Sequence, residues 1–313
     1  MNRIDRIVVT AGLATAFMST TALAEDACVE RLDNGVDLTG WMRSTTNHHG
    51  PGEGWTVEDG AITGRQTAGQ QGGILMTGKT YRDVEVTFEV KLDWGCDSGM
   101  FFRTTAGDRA YQVNLDHLEG GGIGTIYGES FATELRALDF TLTKQGKTAV
   151  AGAACTPLFD LAAWPTMWNP AGFNEIRARV EGNPPHIQTW ISGVKVMDFT
   201  DTSVRSEIDV SGPLALQVHS GPRWASTGAV RFRNIRVRDL AAPCGDAADG
   251  GTDVPDATNA DLHARCDPTS PKSGNGCACA VATPFSTATA ELSVVAAALM
   301  LWRRRHRGAT RRR

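Results

Sequence analysis

The chain has 313 residues, including 34 glycines and 13 prolines, and 21% of its residues are charged, a composition that allows one large buried core. Residues 25–302 keep 22 of the 31 basic side chains and 34 of the 35 acidic ones, for a net charge of −12. A domain this acidic is a poor nucleic-acid binder, because such binding depends mainly on Lys and Arg that neutralise phosphates.

The N-terminus has the features of an export signal. Arg3 and Arg6 precede an apolar run over residues 7–17, and Ala22-Leu-Ala24 supplies the small residues that a signal peptidase needs. The run is too short to span a bilayer comfortably, which disfavours the alternative of a membrane anchor. The sequence therefore predicts a cleaved signal peptide over residues 1–24 and an exported protein of the cell surface or cell envelope.

Short segments rich in β-branched and aromatic residues recur through residues 25–240, which we take as one domain. Gly, Asn and Asp separate them, and no long 3.6-residue periodicity intervenes. The segments are 84–92, 99–103, 111–116, 176–180, 186–191, 214–219 and 230–237. Because a single sheet of this size would leave one apolar face uncovered, they predict an all-β sandwich of two antiparallel sheets.

Two of these segments place polar side chains on every second residue. Alternate residues of a strand face the same side, so the apolar partners can fill a core while the polar residues line the opposite face. The polar residues are Gln112, Asn114, Asp116, Gln217 and His219; the apolar ones are Tyr111, Val113, Leu115, Leu216 and Val218. A sheet with one solvated face shows the same alternation, so the spacing alone leaves that alternative open.

The polar residue types suit a sugar ligand and a proton transfer. Gln112 and Asn114 offer both donors and acceptors for sugar hydroxyls. Asp116 and His219 can exchange a proton near neutral pH, His219 by its intrinsic pKa and Asp116 if its surroundings raise its pKa. Arg103 carries a multi-donor guanidinium suited to an anionic or carbonyl oxygen, with a structural ion pair as the alternative.

Several motifs in one order resemble the 3-keto-disaccharide hydrolase domain, from about residue 32 to residue 240. They are Leu32-Asp-Asn-Gly-Val-Asp-Leu-Thr-Gly-Trp41, Trp55-Thr-Val-Glu-Asp-Gly-Ala-Ile-Thr-Gly64, Asp97-Ser-Gly-Met-Phe-Phe-Arg103 and Val230-Arg-Phe-Arg-Asn-Ile-Arg-Val-Arg-Asp-Leu240. The resemblance implies a concanavalin-A-like jelly roll with one concave sheet, across which ligands commonly lie. It also makes a carbohydrate the expected ligand.

The resemblance further implies a reaction. A ketone at carbon 3 of a glycoside acidifies the hydrogen on carbon 2, so a base removes it, an enolate forms, the group on carbon 1 is expelled and water adds. This elimination and hydration differs from glycoside hydrolysis by two carboxylates. For this reaction we expect Asp116 or His219 to transfer the proton and Arg103 to bind the enolate oxygen. Gln112, Asn114 and Gln217 would recognise the sugar hydroxyls, and Tyr127 would stack on the ring.

Two departures from the family pattern leave activity open. Asp97 stands where relatives usually have Asn, and Gly172-Phe-Asn174 stands where they have Glu-Trp-Asn. A non-catalytic carbohydrate-binding or adhesion module on the same fold is therefore the main alternative, and a purely structural surface protein is the third. No close metal-ligand spacing is visible, but ligands can come from distant strands, so a divalent metal also stays open.

The sequence of the C-terminal part predicts a signal for localisation at the cell surface. Residues 241–276 read as a flexible linker. Within residues 277–313, Cys277-Ala-Cys279 precedes an apolar stretch over 280–302 that is long enough to cross a membrane, and the seven arginines among the last eleven residues should stay on the cytoplasmic side. This pattern predicts a C-terminal transmembrane segment. This order resembles the myxobacterial C-terminal sorting signal, which implies processing at the surface; a single-pass membrane anchor is the alternative.

Seven cysteines in an exported chain indicate disulfides with one thiol left over. Cys28 and Cys244 flank the domain, where adjacent terminal strands would bring them together. Cys96 and Cys155 are candidates for a second bridge. The sequence alone leaves the pairing open.

Overall fold

The computed structural model describes residues 28–131, 135–137, 139–151, 157–203, 205–206 and 208–242. The predicted signal peptide, the C-terminal segment and nearly all of the linker lie outside these residues and stay predictions. Within the described ranges, no helix is both long enough and apolar enough to cross a membrane. The helical elements there are short, as in α1 (Trp164–Met167).

Strands dominate the described residues. They are β1 (Val29–Arg31), β2 (Trp41–Arg43), β3 (Trp55–Glu58), β4 (Ala61–Gly64), β5 (Gly73–Tyr81), β6 (Val84–Leu92), β7 (Gly99–Phe102), β8 (Ala110–Leu115), β9 (Ile123–Glu129), β10 (Arg136–Ala137), β11 (Phe140–Thr143), β12 (Thr148–Ala151), β13 (Asn174–Glu181), β14 (His186–Ile191), β15 (Val194–Thr200), β16 (Gly212–Val218) and β17 (Val230–Asp239).

Two antiparallel sheets form a jelly-roll-like sandwich, which confirms the all-β prediction. Sheet A has the strand order β15-β14-β13-β6-β17-β4-β3, with β1 paired to β17. Sheet B has the order β10-β9-β8-β7-β16-β5-β2, and β11 pairs with β12 as a separate hairpin. The two strands with alternating polar residues, β8 and β16, both belong to sheet B and flank β7.

The core lies between the sheets and follows directly from the two-residue period of the strands. Along β6, buried residues alternate with partly exposed ones. The apolar residues predicted to point inward from β8 and β16 belong to the same core: Tyr111, Val113, Leu115, Leu216 and Val218. Burial of each such side chain contributes about 1.5–3 kcal/mol. The predicted orientation of both strands is therefore confirmed.

The outer face of sheet B is covered rather than openly solvated. All residues of β8 are buried, and Ile74, Phe101, Ala110 and Ala215 form a second, small apolar cluster. The segment of residues 44–54, between β2 and β3, contributes to the cover, because its Ser44 hydroxyl donates to Asp108 (3.3 Å). The alternative of a plain wetted sheet face does not hold here.

The cysteine prediction is partly corrected. Cys96 is a free, buried thiol, so the suggested bridge with Cys155 is wrong. Its side chain is fully enclosed in the main core, where the sulfur contacts the Ala229 carbonyl oxygen at 3.7 Å. Cys244 lies outside the described residues, so its pairing with Cys28 stays a prediction.

Candidate functional site

A polar pocket of about 240 Å³ opens on the outer face of sheet B. Its walls include six of the seven side chains selected from the sequence, namely Gln112, Asn114, Asp116, Tyr127, Gln217 and His219. These residues come from β8, β9 and β16 and from the segments that follow β8 and β16. The sheet thus gathers residues that lie about 100 positions apart in the chain.

Two buried amides form the floor of this pocket. The Gln112 side-chain nitrogen donates to the Ser98 carbonyl (3.1 Å) and to the Gln217 side-chain oxygen (3.0 Å). This bond spans β7, which lies between the two strands, and Gly99 of β7 makes room for it. A Cβ atom at Gly99 would lie 2.3 Å from the Gln112 amide nitrogen. The amides are therefore fixed relative to each other.

Asn114 and Tyr127 extend the same polar face. Asn114 is opposite Gly99 in the β7–β8 register, and Tyr127 is opposite Gln112 in the β8–β9 register. The Asn114 amide donates to the Thr125 hydroxyl (3.1 Å). Tyr127 is half-buried, so part of its ring is accessible as a wall for a ligand.

His219 and Asp116 bring ionisable groups to the pocket from the ends of β16 and β8. The His219 Nδ1 atom lies 2.5 Å from the Ser220 carbonyl oxygen, which can only accept a hydrogen bond. Nδ1 therefore carries a proton, and in the neutral ring Nε2 holds the lone pair. The Asp116 backbone amide donates to the Gly122 carbonyl (3.0 Å), which folds the glycine-rich turn of residues 120–122 against the pocket.

Arg103 is not in this pocket, so the prediction that it binds an oxyanion there is wrong. Its guanidinium is 3% exposed, donates to the carbonyls of Arg82 (3.2 Å) and Gly182 (2.8 Å), and pairs with Asp83 (3.3 Å). The backbone at Arg103 has φ = 55°, which ends β7 in a left-handed turn. The turn directs the side chain away from the face occupied by Gly99, and the structural ion pair considered for Arg103 is what the structure shows.

Sequence reasoning missed several pocket residues. His48, Asp97, Glu129 and Arg223 also line the pocket, and Arg223 is the one arginine among the described lining residues. His48 and Arg223 lie in irregular segments where no periodicity marks their direction, and Asp97 was noticed only as a departure from the family motif. Glu129 ends β9 two residues after Tyr127, so the strand period was the one signal that could have indicated it.

Two histidines surround the buried carboxylate of Glu129. The Nε2 atoms of His48 and His49 lie 3.2 Å and 3.3 Å from its Oε1 atom. Burial alone would raise the pKa of Glu129, but the hydrogen bonds from the two imidazoles outweigh it and hold the pKa at about 2. The hydrogen bond with Glu129 in turn raises the pKa of His48. Glu129 is therefore ionised near neutral pH.

The family follows from a comparison with known sequences. Residues 29–238 match the model of the 3-keto-alpha-glucoside-1,2-lyase-like domain, and the chain belongs to this family. The match spans both sheets and every pocket residue, so the pocket is part of the family domain. No curated protein matches the sequence.

The chain is also similar to several solved structures. One, from Parabacteroides distasonis and provisionally named a glycosyl hydrolase, is 20% identical with a TM-score of 0.46, over 70% of this chain and 96% of its own. A second from the same organism, with the same provisional name, is 17% identical with a TM-score of 0.42, over 68% and 99% of the two chains. The carbohydrate-binding module CBM66 from Bacillus subtilis is 14% identical with a TM-score of 0.35, over 63% and 94%.

Proposed function

We propose that this protein is an exported surface or envelope enzyme that cleaves 3-keto-glycosides by proton abstraction, elimination and hydration on a concanavalin-A-like jelly roll. The observation that carries the proposal is that one polar pocket joins the buried amides, Asp116 and His219 within the family domain. A sugar is the ligand class that such a pocket suits, because its hydroxyls need both donors and acceptors at fixed positions.

The size of the pocket fits one sugar ring. Its volume of about 240 Å³ lies below the range of about 300–1,000 Å³ that is typical of drug-sized ligands. Tyr127 offers a partly exposed ring for stacking, and Gln112, Asn114 and Gln217 reach the pocket from the sheet. We place the oxidised ring here, with the leaving group directed to the open side.

His219 is our candidate base. Its Nδ1–H group is held by the Ser220 carbonyl, so the neutral ring keeps its basic lone pair on Nε2. Nε2 removes the proton from carbon 2, the electron pair forms the enolate of the carbon-3 ketone, and Arg223 takes over the oxyanion role first assigned to Arg103. Asp116 in its protonated form then gives a proton to the leaving oxygen as the bond to carbon 1 breaks.

Hydration completes the reaction. Elimination leaves a double bond between carbons 1 and 2, conjugated with the ketone. A water molecule adds its oxygen to carbon 1 and a proton to carbon 2, so the products are the 3-keto sugar and the free alcohol. His219, protonated in the first step, exchanges that proton with solvent and then delivers a proton to carbon 2, and Asp116 recovers its proton from the water.

The test is an assay of the purified protein with 3-keto-trehalose and a 3-keto-glucoside in D₂O. The proposal predicts release of the alcohol together with deuterium at carbon 2 of the sugar, as seen by NMR. Hydrolysis by two carboxylates would leave the hydrogen at carbon 2 in place. We expect His219→Gln to lower kcat by about 10²- to 10⁴-fold, while His186→Gln, on sheet A, leaves kcat unchanged.

The alternative of a binding-only module predicts a different outcome. Both substrates would stay intact, and calorimetry would detect glycan binding that survives His219→Ala but is lost in Tyr127→Ala. That result would refute the enzyme and favour a carbohydrate-binding or adhesion module.

A further inference from the structure

We propose that His48, His49 and Glu129 bind a divalent transition-metal cation at the wall of the pocket. The three side chains come from two parts of the chain, the segment of residues 44–54 and the end of β9. One candidate ligand atom of each lies within 4.8 Å of the other two. His48 and Glu129 also line the pocket, so a cation held there would face the ligand.

The distances suit coordination. For bonds of about 2.0–2.2 Å, two ligand atoms of a tetrahedral cation lie roughly 3.3–3.6 Å apart, and adjacent ligands of an octahedral cation roughly 2.8–3.1 Å apart. The Glu129 oxygen is 3.3 Å from the His49 nitrogen, at the lower end of the tetrahedral range, and 3.2 Å from the His48 nitrogen, between the two ranges. His48 is 55% exposed, so its imidazole can rotate toward the buried pair.

Two contacts of the His49 Nε2 atom compete with each other. The Gln112 NH₂ group donates to the Ser98 carbonyl and to the side-chain oxygen of Gln217. Because the Gln217 oxygen is used in this bond, its NH₂ group is the part that faces His49 Nε2 (3.1 Å). Nε2 would then accept that bond, yet the Glu129 carboxylate 3.3 Å away needs a donor at the same nitrogen, and one ring nitrogen cannot do both. A cation at Nε2 would use the same lone pair that accepts from Gln217, so metal binding there requires the Gln217 NH₂ group to turn to another acceptor while the cation neutralises Glu129.

The surroundings orient the proposed ligands. His48 Nδ1 lies 3.8 Å from the buried Asp108 carboxylate, which also accepts from the His48 backbone amide (3.0 Å). The Asn47 side-chain oxygen accepts from the His49 backbone amide (3.0 Å). At 3.8 Å the Asp108 carboxylate is an ion-pair neighbour of Nδ1 and not its hydrogen-bond acceptor, so the His48 ring can still turn; carboxylates behind a ligating imidazole are common at metal sites.

The ligand set indicates the class of cation. Two imidazoles and one carboxylate suit Zn²⁺, Mn²⁺, Co²⁺ or Fe²⁺, whereas Ca²⁺ prefers oxygen ligands throughout. Three protein ligands also leave a position open toward the pocket. If the proposed function holds, a sugar oxygen could occupy that position, and the cation would then polarise the ketone beside Arg223; this last consequence rests on the proposed function.

The test measures binding without any sugar. Untagged full-length protein is dialysed against chelator and titrated with ZnCl₂ by calorimetry and with CoCl₂ by visible absorption. We expect saturable binding to this site, weakened at least about 10-fold by His48→Ala and by Glu129→Gln. His186→Ala, whose imidazole pairs with Asp198 on sheet A (2.7 Å), should leave the affinity unchanged.

The site variants keep the test decisive. His49 is buried, so His49→Ala carries a risk of unfolding, whereas the exposed His48 can be truncated in a folded protein, as circular dichroism would check. Absence of saturable Zn²⁺ and Co²⁺ binding overturns the proposal, as does binding that both site variants leave intact. Neither outcome alters the deuterium assay, so the metal site and the proposed enzyme can fail separately.

Discussion

Gly99→Ala tests whether the glycine in β7 is what allows the two pocket amides to meet. The added methyl group would lie 2.3 Å from the Gln112 nitrogen and 2.6 Å from its Cγ atom. The Gln112 side chain must therefore move, which disrupts its bonds to Ser98 and Gln217. Each bond contributes about 0.5–1.5 kcal/mol, and a buried polar group left without a partner costs about 1–3 kcal/mol.

The expected loss follows from these terms. Alanine reduces the conformational entropy of the unfolded chain, which offsets about 0.4–1 kcal/mol of the loss in the free energy of unfolding. The net loss in the free energy of unfolding should be about 2–3 kcal/mol, or a decrease in Tm of about 4–12 °C for a domain of this size. Urea titration and thermal unfolding followed by circular dichroism measure both quantities.

Two further variants make the Gly99 prediction specific. Gly78→Ala, in β5 of the same sheet, meets no atom nearer than the Met42 methyl carbon at 3.7 Å, so it should change stability little. The double variant Gly99→Ala/Gln112→Ala removes the clash, so its loss should be smaller than the sum of the two single losses. A Gly99→Ala protein within about 0.5 kcal/mol of the original, or strict additivity in the double variant, would refute the reasoning.

Three other predictions follow from the structure. Arg103→Met should lower stability by about 2–4 kcal/mol, because it removes the guanidinium donor from the Arg82 and Gly182 carbonyls and from Asp83, but should leave KM and kcat of the folded protein unchanged under the proposed function; an altered KM would return Arg103 to the site. Asp198 is buried, which raises its pKa, but hydrogen bonds from His186 and its neighbours outweigh this and hold the pKa at about 2, below 3.8. The contribution of the Asp198 carboxylate to the free energy of unfolding is therefore complete above pH 3.8 and is lost as the pH falls toward 2. Over that interval the free energy of unfolding should decrease more in the original protein than in Asp198→Asn; equal decreases would contradict this. Burial raises the pKa of Cys96 to about 12, so peptide mass spectrometry should find Cys96 unmodified after iodoacetamide treatment of the folded protein at about pH 8 and modified after denaturation.

The sequence could predict the part of the site that regular strands carry. Gln112 and Asn114 alternate with core residues along β8, as Gln217 does along β16, so the two-residue period places the polar residues of each strand on the face opposite the core. The relative position of β8 and β16 was not contained in that pattern. The family resemblance supplied it, because it implied one curved sheet on which both strands lie.

Irregular backbone explains the errors. In the sequence, Arg103 continues the alternation of Gly99 and Phe101, which predicts the same face of the sheet. The left-handed backbone at Arg103 ends the strand, so its side chain does not lie on that face. His48 and Arg223 project from segments without a repeating period, so their direction depends on tertiary contacts such as the bond from Ser44 to Asp108. Single-sequence reasoning has no access to such contacts.

The bonds made by Gln112 also restrict what a ligand can offer at the pocket floor. Both N–H groups of its amide are taken, one by a main-chain carbonyl and one by a neighbouring glutamine, so only the carbonyl oxygen retains free capacity. A ligand must therefore present a hydrogen to this point. A hydroxyl can do so, whereas a carboxylate or a ketone oxygen would meet like partial charge there. Under the proposed function, this one amide would therefore select an alcohol position of the oxidised sugar over its ketone.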